Sequence, residues 1–285
     1  MKKRYIVLLI FLAVLLLPYL LLSMRVSDQA AIREFKHKGL SLQTHTAVIA
    51  GHHLHYVSTG SDTLPAMIFI HGSPGSWYAF RRYLMDTSLL SHYHLIAIDR
   101  PGFGYSDFGY GVHLPVQAQI VAGFIDSIRH GRPLYLVGHS LGGTLAPLVA
   151  AERPDSVDGL VLLAGAMDTL TEPAEHWRGF FTGPVTRYLM PGALRPSTEE
   201  EWWYKTEMYH YPDHLGRIHC PVYLLHAEDD HIVDIANVQY LKNAMPHAII
   251  SVKRFKSGGH YIPWNHKDSI LSILLSQSKN NSAIK

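Results

Sequence analysis

The chain has 285 residues, enough for one large domain with a substantial core or for two small ones. Hydrophobic residues make up 47% and charged residues 17%, with 22 Gly and 16 Pro, which is a globular composition and not a disordered one. A formal net charge of +2 excludes the basic footprint of a nucleic-acid binder, and a single cysteine, Cys220, excludes an intramolecular disulfide.

Along the chain, Lys2, Lys3 and Arg4 come first, followed by an uncharged, Leu-rich run from Tyr5 to Met24. At helical rise such a run spans about 30 Å, the hydrocarbon thickness of a bilayer. It ends in LLSMRVSDQ, without a small-x-small exit or a following cysteine, so residues 1–24 are expected to form an uncleaved transmembrane signal anchor, with a cleaved signal peptide as the alternative. The leading basic cluster places the N-terminus inside and the body outside, in the periplasm if the source is bacterial; Arg25, Arg33, Lys36 and Lys38 on the other flank count the opposite way. Residues 25–45 read as a polar connector, helical or irregular.

Strands and helices then alternate. TAVIAGHHLHYVSTG predicts a hairpin turning at Gly51. His52, His53 and His55 lack metal-ligand spacing and are expected on the strand surface. Apolar runs follow at Ala66 to His71, His94 to Asp99, Pro133 to His139, Gly159 to Gly165, Pro221 to Ala227 and Ala248 to Phe255. Such runs suit a parallel sheet covered on both faces. Helices are predicted at Trp77 to Met85, Pro115 to His130, Leu141 to Arg153, Ile235 to Met245 and Lys267 to Ser276, with Pro147 expected to kink the third. This alternation predicts a doubly wound α/β sheet, whose functional residues gather beyond the carboxyl ends of the strands. From Met167 to about His219 the rhythm stops, although Trp177, Phe180, Phe181, Tyr188, Trp202, Trp203, Tyr204 and Tyr209 make the stretch aromatic. It reads as a small helical insertion over the sheet. Cys220, in an apolar context before Pro221, reads as a structural thiol.

The strand ends carry the chemistry. Strand, then Gly138-His139-Ser140-Leu141-Gly142, then helix is the nucleophile-elbow pattern. Gly138 and Gly142 remove side chains that a tight turn would collide with, and the following helix aims its free N–H groups at developing negative charge. A serine nucleophile needs a base, and the base needs a group to orient it. His260, in the loop FKSGGHYIPW beyond the last strand, is the expected base. YLLHAEDDHIVD offers Glu228, Asp229, Asp230 and Asp234; Asp230 is the expected orienting acid, Asp229 and Asp234 read as turn or capping residues, and Asp168 is a rival acid beyond the preceding strand. The oxyanion donors expected are the backbone N–H groups of Leu141 and of Ser73, in the loop HGSPGS from His71 to Ser76. That loop has no phosphate-loop lysine, and RPGFGYS lacks dinucleotide spacing, so no cofactor and no metal are assigned.

HGSPGS (71–76), DRPGFGYSD (99–107), GHSLGG (138–143), EDDHIVD (228–234) and GGHYIPW (258–264) occur in an order that resembles the α/β-hydrolase fold family, from about residue 46 to 277. The resemblance implies an eight-stranded, mostly parallel sheet flanked by helices, with a small helical cap at about 167–219 inserted after strand six and a structural Asp99-Arg100-Pro101 turn. Ser140 at the elbow differs from the aspartate nucleophile of haloalkane dehalogenases and epoxide hydrolases, and the elbow also differs from the GGSWG of proline iminopeptidases. The expected function is hydrolysis of a small-molecule carboxylic ester, with an apolar group met by the aromatic cap and no nucleic-acid partner. The same residues would serve a C–C bond, thioester, lactone or amide hydrolase, and an inactive membrane-tethered binding protein is the non-enzymatic alternative.

Overall fold

The computed structural model describes Tyr5, Leu17 and residues 22–209 and 211–280. Eight strands form one sheet: β1 (Gln43–Ile49), β2 (His52–Thr59), β3 (Ala66–Ile70), β4 (His94–Ile98), β5 (Leu134–His139), β6 (Gly159–Leu163), β7 (Pro221–Ala227) and β8 (Ile249–Phe255). Their order is β1-β2-β4-β3-β5-β6-β7-β8. Only β2 runs against its neighbours; from β4 to β8 every pairing is parallel. The β1–β2 hairpin turns through Ala50 and Gly51, both at positive φ.

The central strands are buried end to end, and their alternate residues serve two cores. Ile68, Ile70, Leu136, Leu160 and Leu224 face α2 (Leu114–Ile128) and α3 (Leu141–Glu152). Met67, Phe69, Val137, Val161 and Leu225 face Trp77, Phe80, Tyr83, α1 (Asp28–His37) and α6 (Lys267–Asn280). Each fully buried Leu, Ile or Phe contributes about 1.5–3 kcal/mol, so this double-sided sheet is the rigid body of the molecule. α1 starts on a Ser27 cap and drops Ala31 and Phe35 into the second core. α3 continues through Pro147, and every residue from Leu141 to Ala151 is buried. An all-round buried helix is held by packing, which outweighs the one backbone bond that a proline removes.

Between β6 and β7 lies the insertion. It holds one-turn helices at Trp177–Phe180 and Pro212–Leu215, a 3-10 turn at Thr186–Leu189 and the long helix α4 (Leu194–Met208). α5 (Ala236–Ala244) then connects β7 to β8.

Two expectations need correction. His55 is not on the strand surface: it is buried, with Nδ1 2.9 Å from Asp99 and Nε2 3.3 Å from Asp28, whereas His52 and His53 meet Asp107 near the surface. The loop bearing Asp99 covers His55, whose ring it bonds. The transmembrane signal anchor is also corrected, because among the described residues no helix is long and apolar enough to cross a membrane. Most of the apolar run from Tyr5 to Met24, where that span was expected, lies outside the described residues.

Candidate active site

β5 delivers Ser140 at the carboxyl edge of the sheet with φ 55° and ψ −124°, a conformation that an L-residue holds only when its surroundings impose it. The imposing contacts are backbone. Ser140 N donates to Leu163 O at 3.0 Å, and Gly143 N donates to Ser140 O at 2.7 Å, which starts α3. A Cβ on Gly138 would lie 2.1 Å from the Gly142 carbonyl oxygen, and one on Gly142 would lie 2.2 Å from that of Ile70. No side chain fits at either position. Both glycines are therefore steric requirements of the turn.

The loop after β8 brings His260 to the loop after β7. His260 Nδ1 lies 2.9 Å from Asp230 Oδ2, with both residues buried. The other oxygen, Oδ1, accepts from the amides of Ile232 and Val233 at 2.9 and 3.0 Å. His226 Nε2 stands 3.4 Å from Asp230 Oδ2 and bonds the Val233 carbonyl at 2.9 Å. Burial alone would raise the Asp230 pKa, but hydrogen bonds from His226, His260, Val233 and Ile232 outweigh it and hold the carboxyl well below its ordinary value. Asp230 is thus a fixed anion facing an imidazole. Asp229, its neighbour, points the other way and accepts from the amides of Gly258 and Gly259 at 3.2 and 2.8 Å, shaping the loop that carries His260. Asp234 accepts from the N–H of Ala236, the first residue of α5, at 2.7 Å in a turn. Asp168 accepts from Leu170 N at 2.9 Å within its own turn, and the structure brings Asp230 rather than Asp168 to His260.

Two further histidines escaped the sequence reading. His139, the variable residue of the elbow, bonds the His260 carbonyl through Nε2 at 2.9 Å. Burial, then the neighbouring His260, pushes its pKa down to about 3, so it stays neutral. His226 closes the far side of Asp230. Neither has a sequence signal beyond its place at the end of a strand.

A cavity of about 390 Å³ opens over these groups, and Ser140, His260, Ser73 and Leu141 all line it. Leu141 is the first residue of α3, where an N–H has no partner within the helix. Opposite, the cap supplies Glu172, Glu175, Glu201, Tyr204 and Lys205. The apolar lining comes mainly from outside the cap aromatics, from Met24, Leu141, Ala166, Ile232 and Val233. Trp177, Phe180 and Tyr188 are largely exposed, and Tyr204 is the one cap aromatic among the residues lining this cavity. Burial, and then repulsion from Glu201, pushes Glu172 up to about 7. Burial likewise pushes Glu201 up to about 7, although Arg178 stands 2.5 Å away as its ion-pair partner. Among the described residues no cluster of His, Cys, Asp and Glu could hold a metal ion.

Residues 65–188 match a family model described as alpha/beta hydrolase fold, a segment that contains the elbow but neither Asp230 nor His260. A 2-hydroxy-6-oxononadienedioate/2-hydroxy-6-oxononatrienedioate hydrolase from Burkholderia vietnamiensis is 27% identical over 262 residues, covering 78% of this chain and 89% of that protein. Epoxide hydrolase 3 from Xenopus tropicalis is 34% identical over 117 residues, but these cover only 40% of this chain and 31% of that protein. The crystal structure of a membrane phospholipase A, a bacterial virulence factor, superposes with a TM-score of 0.63 at 21% identity, over 98% of this chain and 100% of that one.

Proposed function

Because the chain has the alpha/beta hydrolase fold, we propose that it is a serine hydrolase that cleaves carboxylic esters through an acyl-enzyme. The observation that carries this reading is that His260, held by Asp230 at 2.9 Å, lines one cavity with a serine fixed in a strained elbow. Ser140 Oγ attacks the ester carbonyl while His260 Nε2 takes its proton. Asp230 keeps the other proton on Nδ1 and steadies the imidazolium that forms. The carbonyl electron pair moves onto oxygen, where the N–H groups of Ser73 and Leu141 receive it. His260 returns its proton to the departing alcohol, and water repeats the sequence on the acyl group. Asp230 suits the orienting role because four hydrogen-bonding groups keep it ionised as the imidazole gains charge.

The B. vietnamiensis relative favours a second reading, hydrolysis of a C–C bond by the same groups. Its substrate name describes a dicarboxylate, whereas the cap here presents Glu172, Glu175 and Glu201 to the cavity against Lys205. Above about pH 7, where Glu172 and Glu201 lose their protons, that lining disfavours a dianion, so the ester reading stands first. The test is labelling of the purified chain by a fluorophosphonate, followed by turnover of p-nitrophenyl esters of increasing chain length. Ser140→Ala should abolish both labelling and turnover while the protein stays folded. An unlabelled wild type, or full turnover in Ser140→Ala, overturns the reading.

A further inference from the structure

α4 of the cap reaches past the cavity to the oxyanion loop, and two of its side chains end there. Arg100, at the end of β4, is fully buried and pairs in a two-pronged fork with Glu200 of α4, both contacts at 2.8 Å. Gln117 of α2 completes this joint, accepting from Arg100 Nη1 at 2.9 Å and donating to Glu200 at 2.9 Å. The same guanidinium donates from Nη2 to the carbonyl of Gly72 at 3.2 Å. That carbonyl has a second donor. Arg100 N donates to His71 Nε2 at 3.0 Å, so the proton of this imidazole sits on Nδ1, 2.7 Å from Gly72 O. Burial, then the Arg100 charge, pushes the His71 pKa well down, which keeps the ring neutral and this tautomer in place.

The peptide joining Gly72 to Ser73 is planar and trans, so its N–H points opposite to its carbonyl. With the carbonyl held on the buried side by Arg100 and His71, the Ser73 N–H is turned to the other side, where Ser73 lines the cavity beside Ser140. A second contact from the same helix fixes the side chain of this residue. Ser73 Oγ donates to Ser197 Oγ at 2.9 Å, and Ser197 in turn donates to Glu201 at 3.0 Å.

We propose that Glu200 and Ser197 are positioning residues for the oxyanion loop, so that the cap sets the aim of the Ser73 N–H as well as covering the substrate. This rests on the serine-hydrolase reading. α4 then has a part in the chemistry that a mere cover lacks: a shift of the cap moves Arg100, Arg100 moves the Gly72 carbonyl, and the donor at the other end of that peptide loses its line to the oxyanion. Loss of one oxyanion donor costs about 10²- to 10³-fold in kcat, and misaiming one costs less, about ten-fold.

The test uses the full chain, wild type against Ser197→Ala and Glu200→Gln, on a p-nitrophenyl ester. Affinity is also measured for a trifluoromethyl ketone, which Ser140 adds to reversibly: an O–C bond forms, the carbonyl pair becomes an oxyanion, and the serine proton passes to His260. The product carboxylate serves as the ground-state control. In both variants kcat should fall about ten-fold, with KM within about two-fold. Affinity for the ketone should fall by the same factor as kcat/KM, and affinity for the product should not change. Glu200→Gln leaves a buried guanidinium with a weaker partner and can fail to fold; Ser197→Ala removes only a hydroxyl and keeps the proposal testable. Wild-type kcat and ketone affinity in folded Ser197→Ala would falsify it, and so would an equal loss of ketone and product affinity. If the wild type itself neither reacts with a fluorophosphonate nor turns over ester, the serine-hydrolase reading fails first and this inference falls with it.

Discussion

The elbow and the cap face each other across one cavity and are held by opposite means. At the elbow, position comes from backbone against backbone: Gly138 and Gly142 lie so close to neighbouring carbonyls that hydrogen is the only substituent they can carry. In the cap, position comes from side chains that pair over long stretches of sequence. Glu199 meets Arg187 and Gly111 N, Glu200 meets Arg100, and Glu201 meets Arg178. Parts fixed by sterics tolerate almost no change. Parts fixed by ion pairs can be retuned pair by pair, so the elbow suits fixed chemistry and the cap suits substrate selection.

The largest effect that can break this contrast belongs to the acid. Asp230→Asn should lower kcat by about 10⁴-fold, since an uncharged amide holds the wrong imidazole tautomer. Asp168→Asn should stay within about three-fold, because its carboxylate serves only its own turn. Steady-state ester turnover decides between them, and the reverse ranking would remove Asp230 from the orienting role. The same carboxyl links activity to acid stability. Its folded pKa is depressed, so the stabilisation is complete above the ordinary carboxylate pKa and is lost as pH falls towards the depressed value.

Next in size is Gly138→Ala. A methyl 2.1 Å from the Gly142 oxygen forces the strand–helix junction apart, and a loss of about 3 kcal/mol or more is expected in urea unfolding. Wild-type stability in that variant would show that the elbow can relax and that the contrast is overdrawn. Asp229→Ala comes third. It frees the Gly258 and Gly259 amides, at a cost of about 1–2 kcal/mol. A modest fall in kcat accompanies it as the His260 loop loosens.

The two regions also differ in how far they can be read from sequence. The elbow is local: a buried strand, two glycines and a small-residue helix lie within one short stretch, and each implies the others. His260 is nearly as plain, sitting beyond the last long strand among glycines. The choice among Asp229, Asp230 and Asp234 is less local, because adjacent carboxylates differ only in the direction their side chains take. The cap is the reverse case. In Thr198-Glu199-Glu200-Glu201-Trp202-Trp203, three consecutive carboxylates precede two tryptophans, and no pattern separates buried from exposed positions. In the structure Glu199 and Glu200 are among the most buried charges, and Trp202 is exposed. Their partners Arg100, Arg178 and Arg187 are scattered along the chain, and no periodicity records such pairings. His55 misleads for the same reason, since the loop that buries it returns from the far end of β4.

The smallest predicted effect tests whether the cap selects substrate by charge. Glu172 and Glu201 are both pushed up to about 7, so the cavity gains negative charge as pH rises through neutrality. The linkage sign follows: an acid with a raised folded pKa stabilises the fold fully below its unfolded value of about 4.5, and this is lost as pH rises through about 7. For binding, a p-nitrophenyl ester with a carboxylate tail should show a KM that climbs about three- to ten-fold between pH 6 and 8, relative to an uncharged ester of equal length. Glu172→Gln should flatten that climb while leaving the uncharged ester nearly unaffected. The exposed aromatics give the control: Phe180→Ser should change neither profile and should shift stability by no more than about 0.5 kcal/mol. Parallel pH profiles for the two esters in the wild type would mean that the carboxylates do not reach the bound tail, and selection would then rest on cavity shape alone.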